Sequence, residues 1–138
     1  MHDIYFEINQ HLQQKYARIR AEEKRAESFM TEDAELVVVA FGLLSRVVKK
    51  AVTELRSKGL KVGLVRPITL WPFPDDTIKQ CLDTAKMFMT VEINMGQMIE
   101  DVRLAVNGRA PVDFYGRVGV IPSPREVEAA IMNVAAKG

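Results

Sequence analysis

In Val91-Glu92-Ile93-Asn94-Met95-Gly96-Gln97 a carboxylate is embedded in an apolar run near the expected end of a strand. An ionised carboxylate there is costly unless it is hydrogen-bonded. Nearby backbone amides, Asn94 and Gln97 are its candidate donors, so Glu92 reads either as the centre of a polar network joining loop to helix or as a ligand contact. Three other segments have comparable settings. Phe41-Gly42-Leu43-Leu44-Ser45-Arg46 joins a strand to a helix, where free N–H groups can hold an anion. It has one glycine where a dinucleotide fingerprint has three, and no Lys-Ser/Thr pair as in a P-loop; plain turn chemistry is the other reading. Arg66 to Pro74 carries the only tryptophan, Trp71, with Phe73, between prolines that preset the backbone. That loop is either a contact surface or a cap on the core. Tyr115-Gly116-Arg117-Val118-Gly119 offers a glycine-flanked arginine, able to pair with a carboxylate or phosphate of another domain, or to sit in an ordinary surface loop.

Other residue types restrict the chemistry. Cys81 is the only cysteine, which excludes a disulfide framework, an iron–sulfur cluster and a cysteine-rich zinc site within this chain. His2 and His11 both lie in the N-terminal segment, away from any acidic cluster. Glu100 and Asp101 are adjacent on a helix and point apart, as solvated or interface charges. Met87, Met89, Met95 and Met98 read as core filling, since thioethers alone suit only soft metals. With 19 basic and 18 acidic residues the formal charge is +1. No basic stripe is visible, and nucleic acid is not an expected partner. No apolar run approaches the roughly 20 residues of a membrane span, so no membrane association is expected and a cytoplasmic setting is the default.

The elements that position these loops follow from periodicity. Residues 3 to 25 form one helix with Ile4, Ile8, Leu12, Tyr16 and Ile19 on a stripe. That stripe packs either on its own domain or, as a connector, on a neighbouring one. Strands are expected at 27–30, 35–41, 60–65 (stopped by Arg66-Pro67), 86–93 and 112–115. Helices fill the intervals: one carries Leu44, Val48, Ala51, Val52 and Leu55 inward, one begins with Pro74 in its first turn, and one runs from Met98 to Asn107. Ser123-Pro124-Arg125-Glu126 is a capping box opening a last helix. Alternation of strand and helix argues for an α/β fold, a mostly parallel sheet in a three-layer αβα arrangement. Ligands of such sheets gather beyond the carboxyl ends of the strands, where all four segments fall. A phosphoacceptor receiver domain is excluded, because no strand ends in the required acidic residues.

Two runs carry a resemblance. Val62-Gly-Leu-Val-Arg-Pro-Ile-Thr-Leu-Trp-Pro-Phe-Pro74 is similar to the second-strand loop of 2-oxoacid:ferredoxin oxidoreductase α chains. Val91-Glu-Ile-Asn-Met-Gly-Gln-Met98, continuing to Phe114-Tyr-Gly-Arg-Val118, resembles the same family, most closely its 2-oxoisovalerate subtype, with 2-oxoglutarate enzymes the near competitor. The resemblance implies a transketolase C-terminal-like domain with a five-stranded sheet of order 1-3-2-4-5, strand 1 antiparallel. It implies residues 1–26 as a connector helix and 27–138 as the domain, preceded by a pyrimidine-binding domain of the same subunit. It also implies a larger complex, with a thiamine-binding β subunit and a ferredoxin-like γ subunit. That complex would use thiamine diphosphate, Mg2+, iron–sulfur clusters and coenzyme A, and pass electrons to ferredoxin. No residue matches a catalytic residue of the family, and at Leu43 and Leu44 relatives often carry hydroxyl residues. The chain is therefore expected to bind none of these cofactors and to be inactive alone. Its interface residues are expected among Gly42, Ser45, Arg46, Arg66, Trp71, Phe73, Glu92, Asn94, Gly96, Gln97, Tyr115 and Arg117. A free-standing small-anion or nucleotide module, and a dimerisation domain acting as a homodimer, are the alternatives.

Overall fold

The computed structural model describes residues 2–138, with the side chain of His2 outside the description. The chain runs α1 (His2–Glu22), β1 (Ala26–Phe29), β2 (Leu36–Ala40), α2 (Leu44–Ser57), β3 (Val62–Pro67), α3 (Asp75–Cys81), β4 (Met87–Glu92), α4 (Met98–Val106), β5 (Val112–Gly116) and α5 (Pro124–Ala135). The sheet order is β1-β3-β2-β4-β5. β1 is antiparallel to β3 and every other pairing is parallel, as expected.

Side-chain alternation along β2 separates two cores. Leu36, Val38 and Ala40 join a cluster with α2 and α5, including Val48, Val52 and Ile131. Val37 and Val39 point the other way, to Ile78 of α3 and Val102 of α4. Because β2 is central and covered on both faces, all five of its residues are buried. The capping box of α5 is present, with the Ser123 side chain accepting from the Glu126 amide and the Glu126 side chain accepting from the Ser123 amide.

Four details differ from the sequence expectation. β3 does not stop before Arg66-Pro67 but runs through both, with Pro67 opposite Ala26 of β1. Its parallel pairing with β2 ends at Val65, so the N–H that proline lacks has no ladder position to fill. Pro74 caps α3 from outside instead of opening its first turn. α4 stops at Val106, because Asn107 takes the left-handed conformation that ends a helix. Met95 lies 82% exposed on the loop after β4, whereas Met87, Met89 and Met98 are buried as expected.

The stripe of α1 resolves differently from every other helix. Ile4, Ile8, Leu12 and Tyr16 remain exposed, and only Ile19 is half-buried. The side-chain contacts with the body come from the helix's last turns and from the residues that follow it. Tyr16 meets the Trp71 ring edge-on, with centroids 5.9 Å apart, and Lys24 Nζ lies 2.6 Å from Asp75. Just beyond, the Arg25 amide donates to Thr69 Oγ1 and the Arg25 carbonyl accepts from the Ile68 amide. No described helix is long and apolar enough to cross a membrane.

Candidate functional site

The winding of the sheet reverses between β2 and β4, since the chain leaves β2 toward β3 on one side and returns to β4 on the other. At such a switch point the loops diverge and leave a crevice. Here it has a volume of about 380 Å³, framed by Phe41 to Leu44, Leu70, Val91 to Asn94, Gln97, Met98, Asp101 and Ile121. Most of that frame is apolar. Its only charged side chains are the two carboxylates, Glu92 and Asp101.

Glu92 is 5% exposed and fully engaged. Its Oε1 accepts from the amides of Gln97 (3.0 Å) and Met98 (2.6 Å), and its Oε2 from the Ile99 amide and the Thr90 hydroxyl (both 3.2 Å). Those amides are the otherwise unpaired donors of the α4 N-terminus, where the helix dipole favours negative charge. Glu92 therefore fills from within the place where a bound phosphate would sit. The loop between makes this reach short: Gly96, at φ +106, turns the chain back, and its amide donates to Asn94 Oδ1 at 2.8 Å. Asn94 thus braces the loop and does not bond Glu92.

Asp101 is a different carboxylate. It lies one helical turn beyond Gln97, half-buried, and has no hydrogen bond or ion pair among the described residues. Burial raises its proton affinity above the ordinary aspartate range, and the neighbouring charges of Glu92 and Glu100 raise it further.

The remaining sequence candidates fall into three places. Gly42 lines the crevice, and its carbonyl accepts from the Ser45 amide and hydroxyl, so buried Ser45 is spent on the turn and Arg46 points to solvent. Trp71 and Phe73 line an adjoining hollow with Arg20, Lys24 and Asp101. Pro72 and Pro74 are buried while Trp71 is 57% exposed, so the loop caps the core with its prolines and presents its indole. Arg66 lies on β3 against Glu27 of β1, 3.1 Å away, apart from the crevice. Tyr115 packs half-buried against the α2–α5 core. Arg117 forms an ion pair with Glu126 inside the chain. Sequence reasoning placed the segments holding Leu43 and Leu70 at this end without singling out those side chains, passed over Ile121, and read Asp101 as a solvated or interface charge. The one available signal was its i,i+4 spacing from Gln97, which sets both on one face of α4.

The fit of the resemblance's cofactors can be judged from these groups. A diphosphate needs cations or free amides; the crevice has two carboxylates, and the α4 amides are taken. Among the described residues no three His, Cys, Asp or Glu side chains converge to hold a metal. Cys81 is buried in the core with its thiol pushed up to about 11 by burial. The residues of this crevice do not fit the diphosphate of thiamine diphosphate or of coenzyme A, and the described residues bring together no ligand set for Mg2+ or an iron–sulfur cluster.

The fold and this site define an α/β domain with a mostly parallel five-stranded sheet, one whose strand-end crevice is largely apolar and whose buried carboxylate is capped from within. The family model described as pyruvate:ferredoxin oxidoreductase core domain II matches residues 34–127, and the chain belongs to that family. It is similar to ketoisovalerate oxidoreductase subunit VorB of Methanothermobacter thermautotrophicus, 48% identical over 113 residues, covering 82% of this chain and 32% of that one. It is also similar to 2-oxoglutarate synthase subunit KorA of Methanocaldococcus jannaschii, 41% identical over 101 residues, covering 72% and 27%. The chain thus spans about a third or less of the length of these relatives. Among solved structures, a split-gene transketolase described as an inactive β4 tetramer superposes with a TM-score of 0.67 at 17% identity, over 81% of this chain and 41% of that one. The 2-oxoglutarate:ferredoxin oxidoreductase of Magnetococcus marinus superposes with a TM-score of 0.65 at 23% identity, over 80% and 19%. At those identities the likeness is one of fold.

Proposed function

We propose that the chain is one domain of the α subunit of a thiamine diphosphate-dependent 2-oxoacid:ferredoxin oxidoreductase, acting on the branched-chain substrate 2-oxoisovalerate in the cytoplasm. In that complex residues 1–26 are the connector and 27–138 the domain. The domain supplies packing surface around the cofactor cleft, and the cofactors are held elsewhere. A pyrimidine-binding domain of the same subunit covers the α1 stripe. The strand-end loops face the thiamine-binding β subunit, and a ferredoxin-like γ subunit carries electrons onward to ferredoxin. The 48% identity to a ketoisovalerate oxidoreductase subunit supports the substrate. One observation carries the non-catalytic role: the crevice at the switch point, where a ligand site belongs in this fold, is walled by exposed apolar side chains and its central carboxylate is consumed in capping α4.

Turnover tests this reading. The purified chain with thiamine diphosphate, Mg2+, 2-oxoisovalerate and a viologen acceptor is expected to reduce no viologen. Supplied with pyrimidine-binding, thiamine-binding and ferredoxin-like chains, it is expected to co-purify with them and to support reduction with 2-oxoisovalerate in preference to 2-oxoglutarate. Reduction by the chain alone defeats the non-catalytic role, and a 2-oxoglutarate preference defeats the substrate.

A further inference from the structure

The crevice is chemically asymmetric in a way the domain's own packing does not use. Its walls are apolar and open: Leu43 is 67% exposed, and Leu70, Ile93 and Ile121 stand about half exposed around the mouth. Beyond the mouth the apolar surface continues through Trp71 to Tyr16 of α1. Exposed apolar side chains that continue past the crevice in this way suit a protein contact. Within it stands Asp101. Glu92 beside it has four hydrogen-bond donors; Asp101 has none among the described residues. The charged groups around it are Glu92 at the end of β4, Glu100 on its own helix and, across the adjoining hollow, Arg20 of α1, Lys24 just beyond that helix and Asp75 of α3. Lys24 is committed to Asp75 and Asp76. Burial, then the charges of Glu92 and Glu100, raise the proton affinity of the Asp101 carboxyl. A half-buried carboxylate in this position is a cost to the free domain. The cost is removed when a cation arrives with apolar groups on either side of it.

We propose that the crevice between β2 and β4 is a socket for an apolar protein segment carrying a single arginine or lysine, whose cation is received by Asp101. The apolar walls supply area and exclude water, and the charge sets register and selects the partner. An anionic segment meets two carboxylates and is refused. The proposal rests on the reading of this domain as a protein-binding one and names the chemistry of what binds.

The test is a titration of the full 138-residue chain, followed by the shifts of its backbone amide NMR signals. Three probes are used: acetyl-Ala-Leu-Arg-Leu-Ala-amide, the same peptide with the neutral isostere citrulline for arginine, and the same with glutamate. The arginine peptide is expected to shift the amides of Phe41 to Leu44 and Ile93 to Asp101. It should bind about tenfold more tightly than the citrulline peptide, as one charge-assisted hydrogen bond allows, with the glutamate peptide weakest. Asp101→Asn is expected to abolish the arginine preference and leave the citrulline affinity in place. Acidifying the wild-type protein does the same without a substitution, by protonating Asp101.

Equal binding of the arginine and citrulline peptides overturns the proposal, as does a preference that survives Asp101→Asn, or shifts that map elsewhere. Ethylguanidinium binding as tightly as the peptide would show a small-molecule site and also overturn it. Failure here is distinguishable from failure of the functional reading. If the chain still co-purifies with thiamine-binding and ferredoxin-like chains, the domain assignment stands and only the socket is lost.

Discussion

The two ends of the β-sheet are built from different materials. At the amino end the chain closes on itself with polar groups. Arg56 of α2 donates to the Val62 and Met30 carbonyls and grips both oxygens of Asp33. Lys86 lies 3.5 Å from Glu35, and Lys137 lies 3.2 Å from Asp113. The hydrogen bonds and charge of Arg56 hold the Asp33 carboxyl below the usual range. At the carboxyl end the exposed large apolar residues include Phe41, Leu43, Leu70, Trp71, Ile93, Met95 and Ile121, beside the Arg117–Glu126 ion pair, and the buried carboxylate Glu92 is turned inward to a helix. A domain that met only water would gain by having both ends like the first. The difference supports the proposed contact of the carboxyl end with other protein.

Cutting the internal cap should have the largest effect. Glu92→Ala strands three amides and a hydroxyl in a buried site and is expected to cost about 3–5 kcal/mol. Glu92→Gln keeps one acceptor oxygen and should cost about 1–3 kcal/mol. Urea unfolding at constant slope measures both. If Glu92→Ala costs less than about 1 kcal/mol, the carboxylate is not a structural cap, and a ligand role at the carboxyl end returns.

The amino end is tested through its packing. A Cβ on Gly63 would lie 2.6 Å from the Met30 carbonyl oxygen and 2.9 Å from Thr31 Cα, both backbone atoms. Gly63→Ala is therefore expected to cost about 1–3 kcal/mol by overpacking. Gly42, at the crevice, has nothing within 4 Å of such a Cβ, but its φ is +65. Gly42→Ala should lose only the strain of a left-handed backbone, about 1–2 kcal/mol. A Gly42→Ala loss well above about 2 kcal/mol, read from thermal melts, would exceed backbone strain and mean that the crevice end is as tightly filled as the other.

How far the sequence reveals this contrast depends on the range of the interactions. Strand order and antiparallel β1 came from resemblance, whereas the alternation of strands and helices follows from local periodicity and agrees with the structure. The course of β3 through Pro67 was not legible, because it depends on which neighbour pairs beyond Val65. Glu92 was legible as a buried carboxylate in need of donors. Its actual donors, the amides of residues 97 to 99, require α4 to start where it does. Arg117 with Glu126 and the solitary state of Asp101 are tertiary facts, and no spacing in the chain encodes them.

Acid should loosen the join between α1 and the carboxyl-end loops before the core. Burial, the strongest influence on Asp75, pushes its carboxyl upward, but bonds and charge from Lys24 and Lys79 outweigh it and hold it at about 2. The ion pair's contribution is complete above the ordinary 3.8 and is lost as pH falls from there through about 2. It is a partly exposed pair, worth no more than about 1 kcal/mol. Trp71 is the only tryptophan and touches Tyr16, so its fluorescence is expected to change over that window and to lose that change in Lys24→Met. An identical acid transition in Lys24→Met would mean that Lys24 does not hold the helix.

The smallest expected effect on stability is the most discriminating for the comparison. Leu43→Ser and Leu70→Ser remove apolar side chains of the same kind that fill the cores, yet these already face solvent. Each should change the unfolding free energy by less than about 0.5 kcal/mol. The same substitutions should lower the recovery of the chain with thiamine-binding and ferredoxin-like chains in a co-purification, because that is where their apolar area would be buried. If either costs the isolated chain more than about 2 kcal/mol, its side chain is part of the domain's own core. The apolar carboxyl end would then be a closed surface like the amino end, differing only in composition.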